Sequence, residues 1–164
     1  MSNVSISDAV KYIGVDDHEL DLFEGQYIIP NGIAYNSYVI LDEKTAILDT
    51  VDARFADQWL ANLETQLQGK TPHYLIISHM EPDHSSVIGR IFDLYPDIIG
   101  VCSARALPMM KRFFTTDYSS RMMVVNEGDT IALGAHTLKF LMAPMVHWPE
   151  VMVTYEQEEK ILFS

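Results

Sequence analysis

Four of the six residues in His79-Met80-Glu81-Pro82-Asp83-His84 carry side chains able to bind a metal ion. They directly follow Tyr74-Leu75-Ile76-Ile77-Ser78, an apolar run that reads as a buried β-strand. Charged groups at the end of a buried strand are costly unless they are paired or bound to an ion. In an extended stretch side chains alternate, so His79 and Glu81 are expected on one side. Asp83 and His84 are neighbours and are expected to diverge, so that one short loop could serve two metal ions. Two-metal sites hold their ions about 3.5–4 Å apart. Pro82 removes a backbone donor and stiffens the stretch. The plainer alternative is a capping loop, with Asp83 or Ser85 at a helix N-cap and the histidines on the surface.

A second candidate ligand is His147, in Pro144-Met145-Val146-His147-Trp148-Pro149-Glu150. This Pro-bounded loop follows an expected strand, the same setting as His79; a satisfied surface histidine is the alternative. His18 falls in an acidic turn at Asp16-Asp17 and has no partner in the sequence nearby. His73 precedes its strand, away from the ligand loop, and His136 lies in a turn; both read as structural or exposed. Cys102, the one cysteine, sits in the apolar run 98–102 and reads as core.

The elements that must position these residues can be read from periodicity. Short strands are expected over 10–15, 19–22 and 27–29, then a turn at Pro30-Asn31-Gly32. Residues 35–41 and 45–50 flank Asp42-Glu43-Lys44 as a β-hairpin. Phe55, Trp59, Leu63 and Leu67 recur every four residues with Ala56 and Leu60 beside them, which predicts an amphipathic helix over 53–67. A helix is expected over 85–95 with Val87, Ile88, Ile91 and Leu94 on one face, stopped by Pro96. A strand at 98–102 and a helix at 104–114 follow, with Met109, Met110, Phe113 and Phe114 in core or interface packing. The last third reads as strands at 122–125, 130–133, 137–142, 151–155 and 161–163. Strand-rich ends around a β-α-β-α centre imply an α/β sandwich of two packed sheets with helices outside.

The chain has 164 residues, 48% of them apolar, which suits one domain. Its net charge of −12 argues against nucleic acid or an anionic membrane as partner. A single cysteine cannot form an internal disulfide, and Met1-Ser2-Asn3 opens no signal peptide, so a cytoplasmic location is expected. No apolar run approaches the ~20 residues of a membrane span. Ile161-Leu162-Phe163-Ser164 reads as a strand without an exit turn, so the chain is expected to be a fragment.

Strand-end His-x-Glu-x-Asp-His, followed after about sixty residues by a lone loop histidine, resembles the metallo-β-lactamase superfamily. Zinc hydrolases of that superfamily usually carry His-x-His-x-Asp-His. Glu81 in place of the second histidine resembles the flavodiiron proteins, or A-type flavoproteins. Asn31-Gly32, Tyr35-Asn36-Ser37-Tyr38, Ile47-Leu48-Asp49-Thr50 and His147-Trp148-Pro149 are also similar to that family. Carboxylates are hard oxygen ligands and suit iron or manganese better than an all-nitrogen site does.

The resemblance implies a four-layer αββα sandwich with an incomplete second half, spanning residues 1–164. It implies that His79, Glu81 and His147 bind one iron and that Asp83 and His84 bind a second. In the family a bridging aspartate and a further histidine come later, outside this chain, as does a flavodoxin-like domain carrying FMN. The implied activity is reduction of dioxygen to water or of nitric oxide to nitrous oxide. Electrons would come from a rubredoxin-like donor or a flavin reductase through FMN, in a head-to-tail homodimer or tetramer. The 164 residues alone would then turn over little. A zinc-dependent hydrolase on the same fold and a metal-free scaffold are the alternatives.

Overall fold

A computed structural model describes residues 6–23 and 25–164; Met1-Ser2-Asn3 lies outside them. Six strands form the main sheet: β1 (Val10–Tyr12), β6 (Tyr38–Ile40), β7 (Ala46–Leu48), β8 (Tyr74–Ile77), β9 (Ile99–Ser103) and β10 (Met122–Val125), in that order. The β1-β6-β7 side is antiparallel and the β7-β8-β9-β10 side is parallel. A second, antiparallel sheet stacks on it, made of β11 (Thr130–Ala132), β12 (Thr137–Met142), β13 (Met152–Glu156) and β14 (Ile161–Phe163). Two small ribbons complete the strands: β2 (Val15–Asp17) with β5 (Ile33–Tyr35), and β3 (Leu22–Phe23) with β4 (Tyr27–Ile28).

Why β8 is apolar throughout follows from what covers it. Side chains alternate across a strand. Leu75 and Ile77 face the helices α1 (Ala56–Leu67), α3 (Ile88–Leu94) and α4 (Ala106–Phe113). Tyr74 and Ile76 face the second sheet, against Leu138, Phe140 and Met152. A strand buried on both faces needs no polar alternation. Helices, the six-stranded sheet and the four-stranded sheet are thus three layers of the αββα sandwich. Among the described residues no helix is long and apolar enough to cross a membrane.

In α1 the expected stripe is the buried one: Ala56, Trp59, Leu60, Leu63 and Leu67. A 3₁₀ turn at Ala53–Phe55 precedes it, capped by the Asp52 carboxylate, which accepts the Arg54 N–H. Cys102 is fully buried in core, and burial pushes its thiol up to about 12. The hairpin at β6–β7 and the strands at 122–125, 137–142 and 161–163 stand where periodicity puts them.

Several local expectations fail. The strand expected over 10–15 is interrupted between Tyr12 and Val15, and of the one expected over 19–22 only Leu22 is in a strand. Asp16-Asp17 is not a turn but the end of β2. Asp17 is fully buried, and its carboxylate accepts from the Tyr35 hydroxyl at 2.9 Å, the Glu19 and Leu20 N–H groups, and Arg54 at 3.0 Å. The helix expected over 85–95 is two pieces, α2 (Pro82–Ser85) and α3. The Val87 N–H lies 3.3 Å from Thr50 Oγ1, at the junction where the first piece stops. With α3 starting at Ile88, its buried face is Ile88, Ile91 and Phe92, and Leu94 points out, 51% exposed. The predicted turn at Pro30-Asn31-Gly32 does form. Gly32 has φ +77, and a Cβ there would meet Asp17 O at 2.1 Å, so only glycine fits.

The turns between strands are tied by one charged pair. Asp42 lies 2.9 Å from His136 Nδ1 and accepts the His136 N–H at 2.8 Å. Burial works against the Asp42 charge, but these donors and the Glu43 N–H outweigh it and hold its carboxyl down at about 2. Burial also disfavours charge on His136, but Asp42 outweighs it and raises its pKa. The Asp42 contribution is present above its unfolded value, about 3.9, and lost as pH falls toward the folded value. The His136 contribution is present below about 6.5 and lost as pH rises through the folded value. Asp42→Asn is therefore expected to cost about 1–2 kcal/mol between roughly pH 4 and 6.5, and less on either side. Urea unfolding of both proteins across pH 3–9 checks this; a pH-independent difference would contradict it.

Candidate metal centre

The ligand stretch leaves the C-terminal end of β8, between the two sheets' rims. Up to Glu81 it stays extended, with Glu81 at φ −60 and ψ 144. His79 and Glu81 therefore point the same way, and His79 Nε2 lies 3.0 Å from Glu81 Oε2. Pro82 then opens the single turn α2, where its missing donor is no loss. The expectation that Asp83 and His84 diverge is overturned: His84 Nε2 and Asp83 Oδ2 are 3.8 Å apart. Helical neighbours stand about 100° apart, not the 180° of a strand, so both reach one space.

His147 arrives from the loop between β12 and β13. That loop is closed at its base by Ala143 N–H to Val151 O at 2.9 Å, and near its tip by Met145 N–H to Trp148 O at 2.8 Å. His147 Nε2 lies 3.1 Å from Glu81 Oε2 and 3.2 Å from His79 Nε2. His79 and Glu81 are buried, whereas the His147 side chain is 66% exposed and forms the outer wall. The Trp148 ring meets His79 edge-on at 5.1 Å. The His84 ring also lies beside His79, ring centroids 5.2 Å apart.

Two carboxylates that sequence reasoning gave no role brace this arrangement. Glu150 Oε1 lies 2.7 Å from His79 Nδ1 and accepts the Met80 N–H at 3.0 Å. Asp49 Oδ2 lies 3.1 Å from His84 Nδ1, and Asp49 Oδ1 accepts the Ser78 N–H at 2.7 Å. Thr50 adds its N–H and hydroxyl to His84 O. The available signal was position: Asp49 ends an apolar strand just as His79 does, and Glu150 closes the His147 loop.

The donor set fits a metal ion. With Nδ1 of His79 donating to Glu150, its Nε2 presents a lone pair to a carboxylate oxygen 3.0 Å away. Two acceptors so close repel unless a cation or a proton lies between them. Donors on adjacent positions of a six-coordinate ion, with bonds of about 2.1 Å, are about 3.0 Å apart; around a tetrahedral ion they are about 3.4 Å apart. The spacings of 3.0–3.2 Å fall in the range that these two geometries span. Two histidines and one carboxylate is a donor set used by non-haem iron and also by catalytic zinc. Asp83 Oδ1 and Glu150 Oε2 are buried without a hydrogen-bond partner among the described residues. Among the described residues no lysine or arginine pairs with Asp49, Asp83 or Glu150. Burial disfavours charge on His84, but the Asp49, Asp83 and Glu81 carboxylates outweigh it and raise its pKa to about 9. The pocket thus calls for positive charge.

The remaining histidines stand apart, as their positions suggested. His18 Nδ1 is 3.2 Å from Asn31 O, His73 Nδ1 accepts the Thr45 N–H at 3.1 Å, and His136 is held by Asp42.

Comparison with known proteins places the chain in a family. The family model for the ODP family beta lactamase matches residues 33–164. The nitric oxide reductase of Moorella thermoacetica is 34% identical over 161 residues, 97% of this chain and 40% of that protein. Rubredoxin oxygen:oxidoreductase from Desulfovibrio gigas superposes with a TM-score of 0.90 at 31% identity, covering 97% of this chain and 39% of that one. The flavodiiron protein from Giardia intestinalis gives 0.89 at 30% identity, covering 97% and 38%. The chain thus spans about 40% of the length of these relatives. Since the match takes in every strand from β5 to β14 together with the whole donor cluster, this chain belongs to the ODP beta-lactamase family, as a metallo-β-lactamase-like domain with flavodiiron proteins for homologues.

Proposed function

We propose that residues 1–164 are the diiron domain of a reductase of dioxygen or nitric oxide. His79, Glu81 and His147 would hold one iron, and Asp83 and His84 the second. The observation that carries this reading is the mutual spacing of 3.0–3.2 Å among His79 Nε2, Glu81 Oε2 and His147 Nε2. An iron pair there would supply the electrons and the open positions at which a diatomic substrate is reduced. The chain's own residues bind and orient. Glu81 contributes the negative charge, Glu150 and Asp49 fix the two imidazoles, and Trp148 keeps water from one flank of His79. The electrons would arrive through FMN on a flavodoxin-like domain outside these residues, from a rubredoxin-like donor or a flavin reductase. A head-to-tail homodimer in the cytoplasm is part of the same proposal. Support comes from the homologues: names such as nitric oxide reductase and rubredoxin oxygen:oxidoreductase are those of redox enzymes. The zinc-hydrolase alternative is not favoured by these homologues.

Two measurements test the reading. Protein purified without chelator and without added zinc is expected to contain iron, with one tight equivalent per chain and a second held weakly by two donors. Full zinc occupancy from iron-rich medium, together with ester hydrolysis, would overturn it. Glu81→His is expected to move the preference from iron toward zinc, read as the ratio of the two metals after equal exposure. An unchanged ratio would remove Glu81 from the ligand set.

A further inference from the structure

The loop that brings His147 to the site also brings Glu150, three residues later. Glu150 is 1% exposed. Its backbone O accepts the Ser103 hydroxyl at 2.7 Å, which ties it to the end of β9. Ser103 Oγ in turn accepts the Ala106 N–H at 3.2 Å, in the first turn of α4. The Glu150 backbone is therefore anchored to the main sheet. From there the carboxylate reaches across to the ligand stretch, seventy-one positions earlier in the chain, and bonds it twice through one oxygen. Because Oε1 already accepts the Met80 N–H, it also accepts at His79, which puts the imidazole hydrogen on Nδ1. Nε2 is then left with its lone pair directed at Glu81 and His147.

The other oxygen, Oε2, is buried and has no partner among the described residues. A buried carboxylate with one idle oxygen is a poor device for stability alone, since an unsatisfied buried acceptor costs about 1–3 kcal/mol. A hydrocarbon of similar volume would avoid that cost. What the carboxylate adds is direction and negative charge behind the imidazole.

We propose that Glu150 is the positioning residue for His79, fixing its orientation and tautomer so that Nε2 is presented as a metal donor. The inference rests on the metal-centre reading above. It assigns to one rigid corner of the fold two tasks: His147 is a donor, and Glu150 aims a second donor 2.7 Å away. Carboxylates behind metal-bound histidines change metal affinity by about 10–100-fold when removed.

The test uses the whole 164-residue chain. Ferrous iron is titrated anaerobically against a competing chelator, and the histidine tautomers of the metal-free protein are read by nitrogen-15 NMR. Glu150→Ala is expected to weaken the tighter iron equivalent by about 10–100-fold. It should also shift His79 from pure Nδ1–H to a mixture of tautomers. Glu150→Gln keeps an acceptor at the same place, so the Nδ1–H tautomer should persist with a smaller loss of affinity. This variant also answers the case in which Glu150→Ala fails to fold. Retention of the tautomer and of iron affinity within twofold in Glu150→Ala would overturn the role of Glu150. Loss of the Nδ1–H tautomer in folded Glu150→Gln would also overturn it. If the unsubstituted chain takes up no iron while its His79 is Nδ1–H, the metal-centre reading fails and the proposal falls with it.

Discussion

Glu81→Ala is expected to lower the affinity for the tighter iron by a hundredfold or more while leaving the fold intact. The argument starts from what the side chain holds. Glu81 Oε2 is 3.0 Å from His79 Nε2 and 3.1 Å from His147 Nε2, so it is the hub of the three donors. Binding energies of structural metal sites run to about 10–16 kcal/mol over four ligands, or about 3 kcal/mol per ligand. A loss of that size is about two powers of ten in affinity. Glu81 also carries the only negative charge within the triad, so its removal subtracts electrostatic attraction as well as a bond. The stretch should keep its shape, because Pro82, Glu150 and the α2 turn fix the backbone independently. The Glu81 carbonyl still accepts from His84 and Ser85 N–H groups in the variant. Iron competition titration with circular dichroism on the same sample checks both halves. Affinity within threefold of the parent would show that the triad is not where iron binds.

Trp59→Ala should destabilise the chain by about 3–5 kcal/mol, a large part of the 5–15 kcal/mol typical of a whole domain. Trp59 is fully buried, in the cluster that joins α1 to the main sheet. Truncation removes the apolar ring and leaves a cavity that the neighbouring strands cannot fill without moving. It also removes a hydrogen bond, since Trp59 Nε1 donates to Ser37 Oγ at 3.0 Å. Ser37 in turn lies 2.9 Å from Asp49 O and 3.1 Å from Leu48 O. The tryptophan is therefore linked through one serine to the residue that braces His84. Urea unfolding should show a lower midpoint with an unchanged slope. Trp59→Phe separates the two effects: it retains most of the packing and should cost about 1–2 kcal/mol for the lost bond and reduced volume. Equal costs for the two substitutions would place the whole effect in the hydrogen bond.

Those two residues mark the two ways in which this sequence is legible. The α1 stripe and the β8 run are local signals. A side chain repeated every four positions must share a helix face, and an apolar run between turn residues must be buried on both sides. The donor stretch is legible for the same reason, because four ligand-capable groups in six positions need no tertiary information to be noticed. His147 could be noticed because it repeats the strand-end setting. The resemblance to flavodiiron proteins then implied the pairing of these residues; the family and the fold are those that the resemblance named.

What could not be read locally depended on partners far away in the chain. Asp16-Asp17 looks like a turn because acidic pairs usually seek water. Here Asp17 finds Tyr35 and Arg54, which supply hydrogen bonds and charge inside the fold. The 85–95 segment has a continuous helical pattern, yet Thr50 meets Val87 where the helix breaks, and the face turns away from Leu94. Asp83 and His84 converge because Pro82 starts a turn of helix there, a choice between two backbone shapes that both suit proline. Glu150 carries no local mark at all. Its role exists only because β13 begins beside the end of β8, in the other sheet, with Met152 N–H bonded to Ser78 O, and sets the loop against His79. The sequence by itself determined which residues have the chemistry to bind a metal and which segments could carry them. Only the tertiary structure decided which of those donors meet and which carboxylates aim them, because distance between side chains is set by sheet stacking and loop closure, not by separation along the chain.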